Sequence, residues 1–543
     1  MIGLVASRSP EPNLQPEVND SRTMKKRKFF TRLKVTGVLL LAQIILFFAI
    51  NAAIVIWFPF VAYFLMGLTI LALAFIIKKE EAPAYKITWI TIILLLPLLF
   101  YPVVFLPIGG AIYLMIGNRR PLRKITAHVN EHALIARLLD SDELPNINNL
   151  ANKRAKSLFD YVRRVSSYHA YENTNSKYYN MGEDMFKDML IELEKAEKFI
   201  FIEFFIVADG FMWGQVLDIL SSKASEGLEV RVIIDDLGSE KLFSKRYIKS
   251  LKERNIHVLR FNPMVPLLLF FMNNRDHRKI MVVDGKVAFT GGMNIADEYI
   301  NIKKRFGIWK DTGVRLEGDA VWSFTLMFIE MWDTFSKGSE RINNYEAYKV
   351  HNDISADSTE GFVLPFGDTP LDKERLSENI FVDILYQARD YVYFFTPYLI
   401  ISEKLTFAMQ HAAKRGVDVR IVMPGIPDKK AIFRLSRSYY GPLLNQGVRI
   451  FEYSPGFLHA KSMVSDDRFA VVGTVNLDYR SLYLHFECGV VFYKSKIIDE
   501  IKHDMQSVMC VSKEVLPADK RDRVRRVWDE LIDALLHLFA PLL

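Results

Sequence analysis

The chain repeats itself. Glu226-Gly-Leu-Glu-Val-Arg-Val-Ile233 returns 189 residues later as Arg415-Gly-Val-Asp-Val-Arg-Ile-Val422. The surroundings repeat too. Phe186–Ala196 reads as an amphipathic helix, Phe199–Ile206 as a buried strand, Val216–Ala224 as a helix and Val230–Ile234 as a strand. The second copy runs helix Ile380–Ala388, strand Tyr391–Thr396, helix Leu405–Lys414 and strand Val419–Met423. Apolar strands alternating with helices predict a mostly parallel, covered sheet in each copy. The fold class expected is therefore α/β, with two similar lobes packed around a shared site at their junction.

A second repeat carries the chemistry. His277-Arg-Lys279-Ile-Met-Val-Val-Asp284 and His459-Ala-Lys461-Ser-Met-Val-Ser-Asp466 both read H-x-K-x₄-D, 182 residues apart. The same offset carries Gly291 to Gly473 and Asn294 to Asn476. His and Lys two apart on a strand share a face, so His277 with Lys279 and His459 with Lys461 can converge on one group. Asp284-Gly285 reads as a hairpin turn before the strand Lys286–Thr290, and Asp466-Asp467 takes that place in the second copy. Within the motif set, Asp284 and Asp466 thus support the site rather than react. Gly291 and Gly473 let backbone approach a ligand and offer amides to an anion.

Two histidines, two lysines and two asparagines suit a phosphodiester. Lysines neutralise phosphoryl charge, and Asn294, Asn476 and backbone amides donate to its oxygens. One neutral imidazole can attack phosphorus while another protonates the leaving alkoxide, and both roles run near neutral pH. No His, Cys or carboxylate cluster has metal-ligand spacing, so neither a metal nor another cofactor is expected. The two cysteines, Cys488 and Cys510, make no disulfide framework. The net charge of +7 over 543 residues is mild, and no basic groove for nucleic acid stands out.

The N-terminal fifth reads as membrane. Residues 1–34 carry eight basic residues and form a leader expected to be disordered over 1–23. Val35 to Ile77 then runs 43 residues without a charge. A helix of that length would be about twice as long as a ~30 Å hydrocarbon core is thick, which predicts two spans with a break between Asn51 and Pro59. A further uncharged run, Ile87–Asn118, is broken by Pro97, Pro102 and Pro107. Basic flanks on both sides (Lys78, Lys79, Lys86; Arg119, Arg120, Arg123, Lys124) favour the cytoplasm. An even number of crossings or a re-entrant dip satisfies both flanks; a single kinked span is the alternative. The expected divisions are 1–34 leader, 35–77 two spans, 78–118 third apolar segment, 119–180 linker with amphipathic helices, 181–345 first lobe, 346–511 second lobe and 512–543 a C-terminal amphipathic helix. That last stretch, basic from Lys520 to Arg526 and apolar from Trp528 to Phe539, suits an anionic membrane surface or a docked helix. Met264–Met272 reads as a membrane-dipping loop or a buried strand.

The paired motifs with following G-G/T-x-N resemble the phospholipase D superfamily. Within it, Asn274-Arg-Asp-His-Arg-Lys-Ile280, Gly291-Gly-Met-Asn-Ile-Ala-Asp-Glu-Tyr299, Phe395-Thr-Pro-Tyr398, Gly456-Phe-Leu-His-Ala-Lys461 and the C-terminal Ala540-Pro-Leu-Leu543 are similar to bacterial cardiolipin synthases. The resemblance implies phospholipase D-like lobes behind an α-helical membrane anchor, placed in a bacterial cell membrane with the catalytic part cytoplasmic. It implies phosphatidylglycerol as the bilayer substrate and a histidine-bound phosphatidyl intermediate. By similarity His277 is the nucleophile and His459 the acid/base, an assignment the pseudo-symmetry leaves open to exchange. Each histidine needs an orienting carboxylate. Asp311 and Glu487 are the candidates. The resemblance does not fix the acceptor alcohol or the oligomeric state.

Overall fold

The computed structural model describes residues 59–78, 83–100, 532–538 and 540, five positions between 41 and 49, and 152–517 except 167, 264–272, 337–339, 343, 351–360 and 373. The leader, most of the first span, the run beyond Phe100 and the Met264–Met272 segment lie outside the described residues.

Two sheets carry the duplicated part. The first has seven strands in the spatial order Thr174–Tyr179, Gly313–Gly318, Val287–Gly291, Lys279–Val283, Phe199–Phe204, Glu229–Asp235, Ile256–Phe261. The second has eight, in the order Ser512–Val515, Arg449–Tyr453, Asp418–Pro424, Tyr391–Phe395, Ser462–Ser465, Phe469–Gly473, Glu487–Tyr493, Phe362–Asp368. Read from its other edge, the second sheet repeats the first and adds one strand. The expectation of mostly parallel sheets is wrong. Only Phe199–Phe204, Glu229–Asp235 and Ile256–Phe261, and their counterparts, run parallel; the other pairings are antiparallel. Continuous apolarity reported burial on both faces, which Phe199–Phe204 has at every position, and not strand direction.

The motif strands come as hairpins, and their turns explain the two aspartates. Asp284 and Gly285 have φ of 53° and 66°, and Asp466 and Asp467 have 52° and 54°. Both central residues of each turn are thus left-handed, which suits a tight hairpin. From that turn the Asp284 carboxylate accepts the backbone N–H groups of Glu197, Lys198 and Phe199 at 2.7–2.9 Å. Asp466 does the same for Arg389, Asp390 and Tyr391. Each aspartate therefore clamps the start of the neighbouring strand, Phe199–Phe204 or Tyr391–Phe395. Both carboxylates bond backbone at the turn end of the hairpin, away from the histidines at its start.

The lobes pack through one apolar cluster. Helices Val321–Phe335 and Ile497–Cys510 bury Phe324, Phe328, Trp332, Ile501 and Met505 between the sheets, beside Phe201, Val282, Val464 and Val490. Polar ties at this junction include Tyr178 and Lys310 with Asp504, at 2.8–2.9 Å, and Thr312 with Ser462 at 2.9 Å. Thr174–Tyr179 forms the first sheet's edge, ahead of residue 181 where the repeat becomes visible in the sequence. Helix Lys153–Val165 buries Leu158, Phe159 and Val162 in the second lobe's outer cluster.

In the N-terminal part, Pro59–Lys78 and Pro83–Phe100 are helices, the second continuous through Pro97. Both start on a proline, whose missing N–H costs nothing at a first helical position. Taken over the residues the structure describes, no helix is long and apolar enough to cross a membrane. Tyr85, Thr88, Trp89 and Ile93 are buried, and Thr88 Oγ1 donates to the Leu538 carbonyl at 2.7 Å.

Candidate active site

Each motif histidine stands just before its hairpin and is fastened to the opposite lobe. The His277 N–H donates to the Phe486 carbonyl at 2.9 Å, and the His459 N–H to the Lys310 carbonyl at 2.7 Å. Beside His459, Gly456–Leu458 pairs in parallel with Ile308–Lys310 of the first lobe.

The side chains cross the junction in the same way. His277 Nδ1 lies 2.9 and 3.0 Å from the two oxygens of Glu487. His459 Nδ1 lies 2.7 Å from Asp311. A carboxylate only accepts, so these contacts put the proton on Nδ1 and leave Nε2 of both rings for chemistry. The carboxylates are themselves held: Thr312 N donates to Asp311 at 2.9 Å, and Thr474 Oγ1 donates to Glu487 at 2.5 Å. Asp311 and Glu487 are fully buried.

The lysines are buried too. Lys279 Nζ donates to the His277 carbonyl, and Lys461 Nζ to that of His459, while lying 2.8 Å from His459 Nδ1. Burial pushes Lys279 down to about 8 and Lys461 to about 7, against the pull of Glu487 and Asp311. Burial, then the Lys461 charge, takes His459 down to about 4; burial and Lys279 lower His277 well below its usual value. In the empty site both imidazoles are thus neutral near pH 7, and desolvation makes the lysine charges costly until an anion joins them.

A cavity of about 550 Å³ opens over the two histidines, with Asn294, Asn476, Tyr299, Arg275, Arg480 and His485 in its walls. It carries both rings and no strand-end carboxylate of either hairpin. Among the described residues, His277, His485 and Glu487 bring ligand atoms within 4.8 Å of one another, a trio that could hold a metal ion. Linear spacing did not reveal it. Lys279, Lys461 and Arg480 add positive charge around it, and Glu487 is already engaged by His277 and Thr474, so the surroundings suit an anion better than a cation.

Residues 189–306 and 381–509 match the family "Cardiolipin synthase, PLD-like domain". Cardiolipin synthase 1 of Bacillus cereus is 31% identical over 513 residues, covering 92% of this chain and 97% of that protein. The chain belongs to the cardiolipin synthase family. Another relative, from Streptococcus mutans, is 47% identical over 393 residues, covering 72% of this chain and 84% of its own. The crystal structure of a phosphatidylserine synthase from Haemophilus influenzae shares the fold, with a TM-score of 0.53 at 14% identity, over 72% of this chain and 98% of that one.

In this member of the cardiolipin synthase family, the structure brings together His277, His459, Lys279, Lys461, Asp311, Glu487, Asn294 and Asn476. Gly291 and Gly473 stand aside. A Cβ at Gly291 would meet the Thr312 carbonyl at 2.4 Å, and one at Gly473 the Cys488 carbonyl at 2.5 Å. These glycines let neighbouring strands close up, pairing with Gly313 and Gly489. The amides after them, of Gly292 and Thr474, donate to those same carbonyls and offer nothing to a ligand. Asn294 is partly committed: its Oδ1 accepts from Ile206 N at 3.0 Å and its amide donates to Tyr299 at 2.7 Å. Asn476 donates to Asp478 at 3.4 Å, and its Oδ1 is buried without a partner. Sequence reasoning missed Arg275, Tyr299 and Arg480. It also left open which carboxylate served which histidine. A usable signal existed: Asp311-Thr-Gly313 and Glu487-Cys-Gly489 are both acid-x-Gly, 176 residues apart.

Proposed function

We propose that the protein is a membrane-anchored phosphatidyltransferase that converts two phosphatidylglycerol molecules into cardiolipin and glycerol. The observation that carries this is the crossed pair. Two imidazoles, each held at Nδ1 by a carboxylate from the opposite lobe, share one cavity, and behind each a buried lysine, Lys279 or Lys461, donates to the carbonyl of the same histidine. With the substrate phosphodiester bound, one histidine stays neutral and the other takes up a proton at Nε2; the neutral Nε2 attacks the phosphorus of the first lipid, and the P–O bond to glycerol breaks as the imidazolium gives its Nε2 proton to the leaving oxygen. The phosphatidyl group is left on histidine. The second lipid's primary hydroxyl then gives its proton to the acid/base histidine and displaces the first, re-forming a phosphodiester. One phosphodiester replaces another, so the exchange needs no nucleotide. Lys279 and Lys461 balance the phosphoryl charge, and Asn294 and Asn476 stand where their remaining amide groups can bond its oxygens.

Membrane attachment is supported by the uncharged segments 35–77 and 87–118 and the apolar helices Pro59–Lys78 and Pro83–Phe100. The basic flanks put the catalytic part on the cytoplasmic face of a bacterial membrane. The test is purified full-length protein with phosphatidylglycerol alone. Cardiolipin and free glycerol in equal amounts are expected. Phosphatidic acid as the main product would mean that water is the acceptor, and would overturn the transfer reading. Loss of turnover in both His277→Ala and His459→Ala, on the order of 10⁴-fold or more, is expected of a shared pair.

A further inference from the structure

The two ends of the cavity differ, although the lobes around it are copies. Two positions make the difference. The residue two before each motif histidine is Arg275 in the first lobe and Phe457 in the second. The residue two before each orienting carboxylate is Trp309 ahead of Asp311 and His485 ahead of Glu487. Because the carboxylates cross, these substitutions sort by end. His459 sits among rings, with Trp309, Tyr299 and Phe457 at centroid distances of 5.3, 5.4 and 5.7 Å. His277 has Phe205 at 5.1 Å but is otherwise flanked by nitrogen: His485 at 5.5 Å, with Arg275 and Arg480 in the same wall.

The nitrogen-rich end has spare capacity. Arg275 is 1% exposed; its Nη1 donates to the Asn262 carbonyl at 3.0 Å and stands 3.5 Å from Asp235, but its Nε is buried without a partner. The His485 side chain is 10% exposed; its Nδ1 stands 3.7 Å from Glu487, beyond hydrogen-bond length, and its Nε2 is buried without a partner. Buried donors are rarely left in this state, and a set of them in one wall is a place for an acceptor-rich ligand. Burial, and then the neighbouring Arg275 charge, push the Arg480 guanidinium below its usual value against the pull of Asp478. Both arginines line the same cavity, where an anion would relieve their repulsion.

We infer that Arg275, Arg480 and His485 form a second anion subsite, which holds the phosphodiester of the acceptor lipid while its glycerol hydroxyl reaches the reacting phosphorus. The inference rests on the transferase reading and adds to it where the acceptor binds and how an anionic lipid is preferred over water. It also sorts the histidines. Displacement at phosphorus is in line, so an acceptor arriving at the His277 end has the P–N bond on the far side, to His459. The new P–O bond forms as the P–N bond to His459 breaks, and the hydroxyl proton passes to His277. This exchanges the roles suggested by similarity.

The experiment uses full-length protein in mixed micelles with one donor, phosphatidylglycerol, and two competing acceptors. Phosphatidylglycerol itself gives cardiolipin, and isotopically labelled glycerol gives labelled phosphatidylglycerol. Both routes share the first half-reaction, so their ratio isolates the acceptor. In Arg480→Gln and His485→Phe the ratio of cardiolipin to labelled phosphatidylglycerol is expected to fall at least tenfold, and Arg480→Lys to stay within threefold of the parent. A ratio unchanged within twofold in both variants would overturn the subsite. Labelled lipid is expected to stay covalently bound to His277→Ala protein, on His459, and not to His459→Ala; the reverse would overturn the assignment of roles. Parent enzyme that makes no cardiolipin would sink the transferase reading instead, which keeps the two failures apart.

Discussion

Gly292 is the residue on which the Asp311–His459 pair depends, and it touches no substrate. A Cβ placed there would stand 2.0 Å from Asp311 Oδ1 and 3.1 Å from the His459 carbonyl. Ordinary contact begins at 3.4 Å, so the carboxylate in Gly292→Ala must retreat by roughly 1.4 Å, enough to carry a hydrogen bond out of range. The bond at risk is the 2.7 Å contact to His459 Nδ1. A charge-assisted hydrogen bond of this kind contributes about 1.5–3 kcal/mol, or roughly ten- to a hundredfold in rate. The loss grows toward about 10⁴-fold if the ring also changes tautomer. The second lobe offers the control. Its Thr474 occupies the same place and donates to Glu487, so Thr474→Ala loses one hydrogen bond without evicting the acid. The assay is glycerol release from phosphatidylglycerol, with circular dichroism and thermal unfolding to establish the folded fraction. Gly292→Ala is expected to lose at least tenfold more activity than Thr474→Ala. A folded Gly292→Ala enzyme retaining more than a third of the parent rate would show that Asp311 does not act through His459.

Asp284→Ala and Asp466→Ala should act on stability rather than chemistry, each lowering the unfolding free energy by about 2–4 kcal/mol as three backbone N–H groups lose their acceptor, with turnover per folded molecule within a few-fold of the parent; abolished turnover in a fully folded variant would return them to the catalytic set. Because Lys461 titrates at about 7 and Lys279 at about 8 in the empty site, binding an anionic phosphodiester takes up protons above those values. Affinity is therefore full below about pH 7 and weakens as pH rises through 7 to 8, by up to about tenfold per pH unit for each linked proton; a KM that is flat from pH 6 to 9 would contradict it. Since the lysines supply the positive charge, transfer should persist in excess EDTA; complete loss, restored by one divalent ion, would assign that charge to a metal. A cysteine at position 350 should resist membrane-impermeant thiol reagent outside intact cells; efficient labelling would put the catalytic lobes outside.

The parts of this site that could be read from sequence were those set by linear spacing. His and Lys two apart, the hairpin turn five residues on and the duplicated strands all depend on neighbours along the chain. Strand direction did not, because Phe199–Phe204 and Lys279–Val283 are equally apolar whether they run together or apart. Gly291 was misread for a related reason: a glycine that lets two strands close looks, in sequence, like one that admits a ligand. The pairing of His277 with Glu487 was beyond spacing altogether, since 210 residues and a lobe boundary lie between them.

That pairing has a consequence for when the enzyme becomes active. His277 is synthesised early, yet it has no orienting partner until Glu487 follows, and Asp311 waits likewise for His459. A growing chain with its first lobe folded therefore holds one imidazole, one lysine and the wrong carboxylate. It cannot carry out the phosphodiester exchange. Chemistry switches on only with the docking of strand Glu487–Tyr493, so a phosphodiester-cleaving site exists only once both halves of the transfer can be completed.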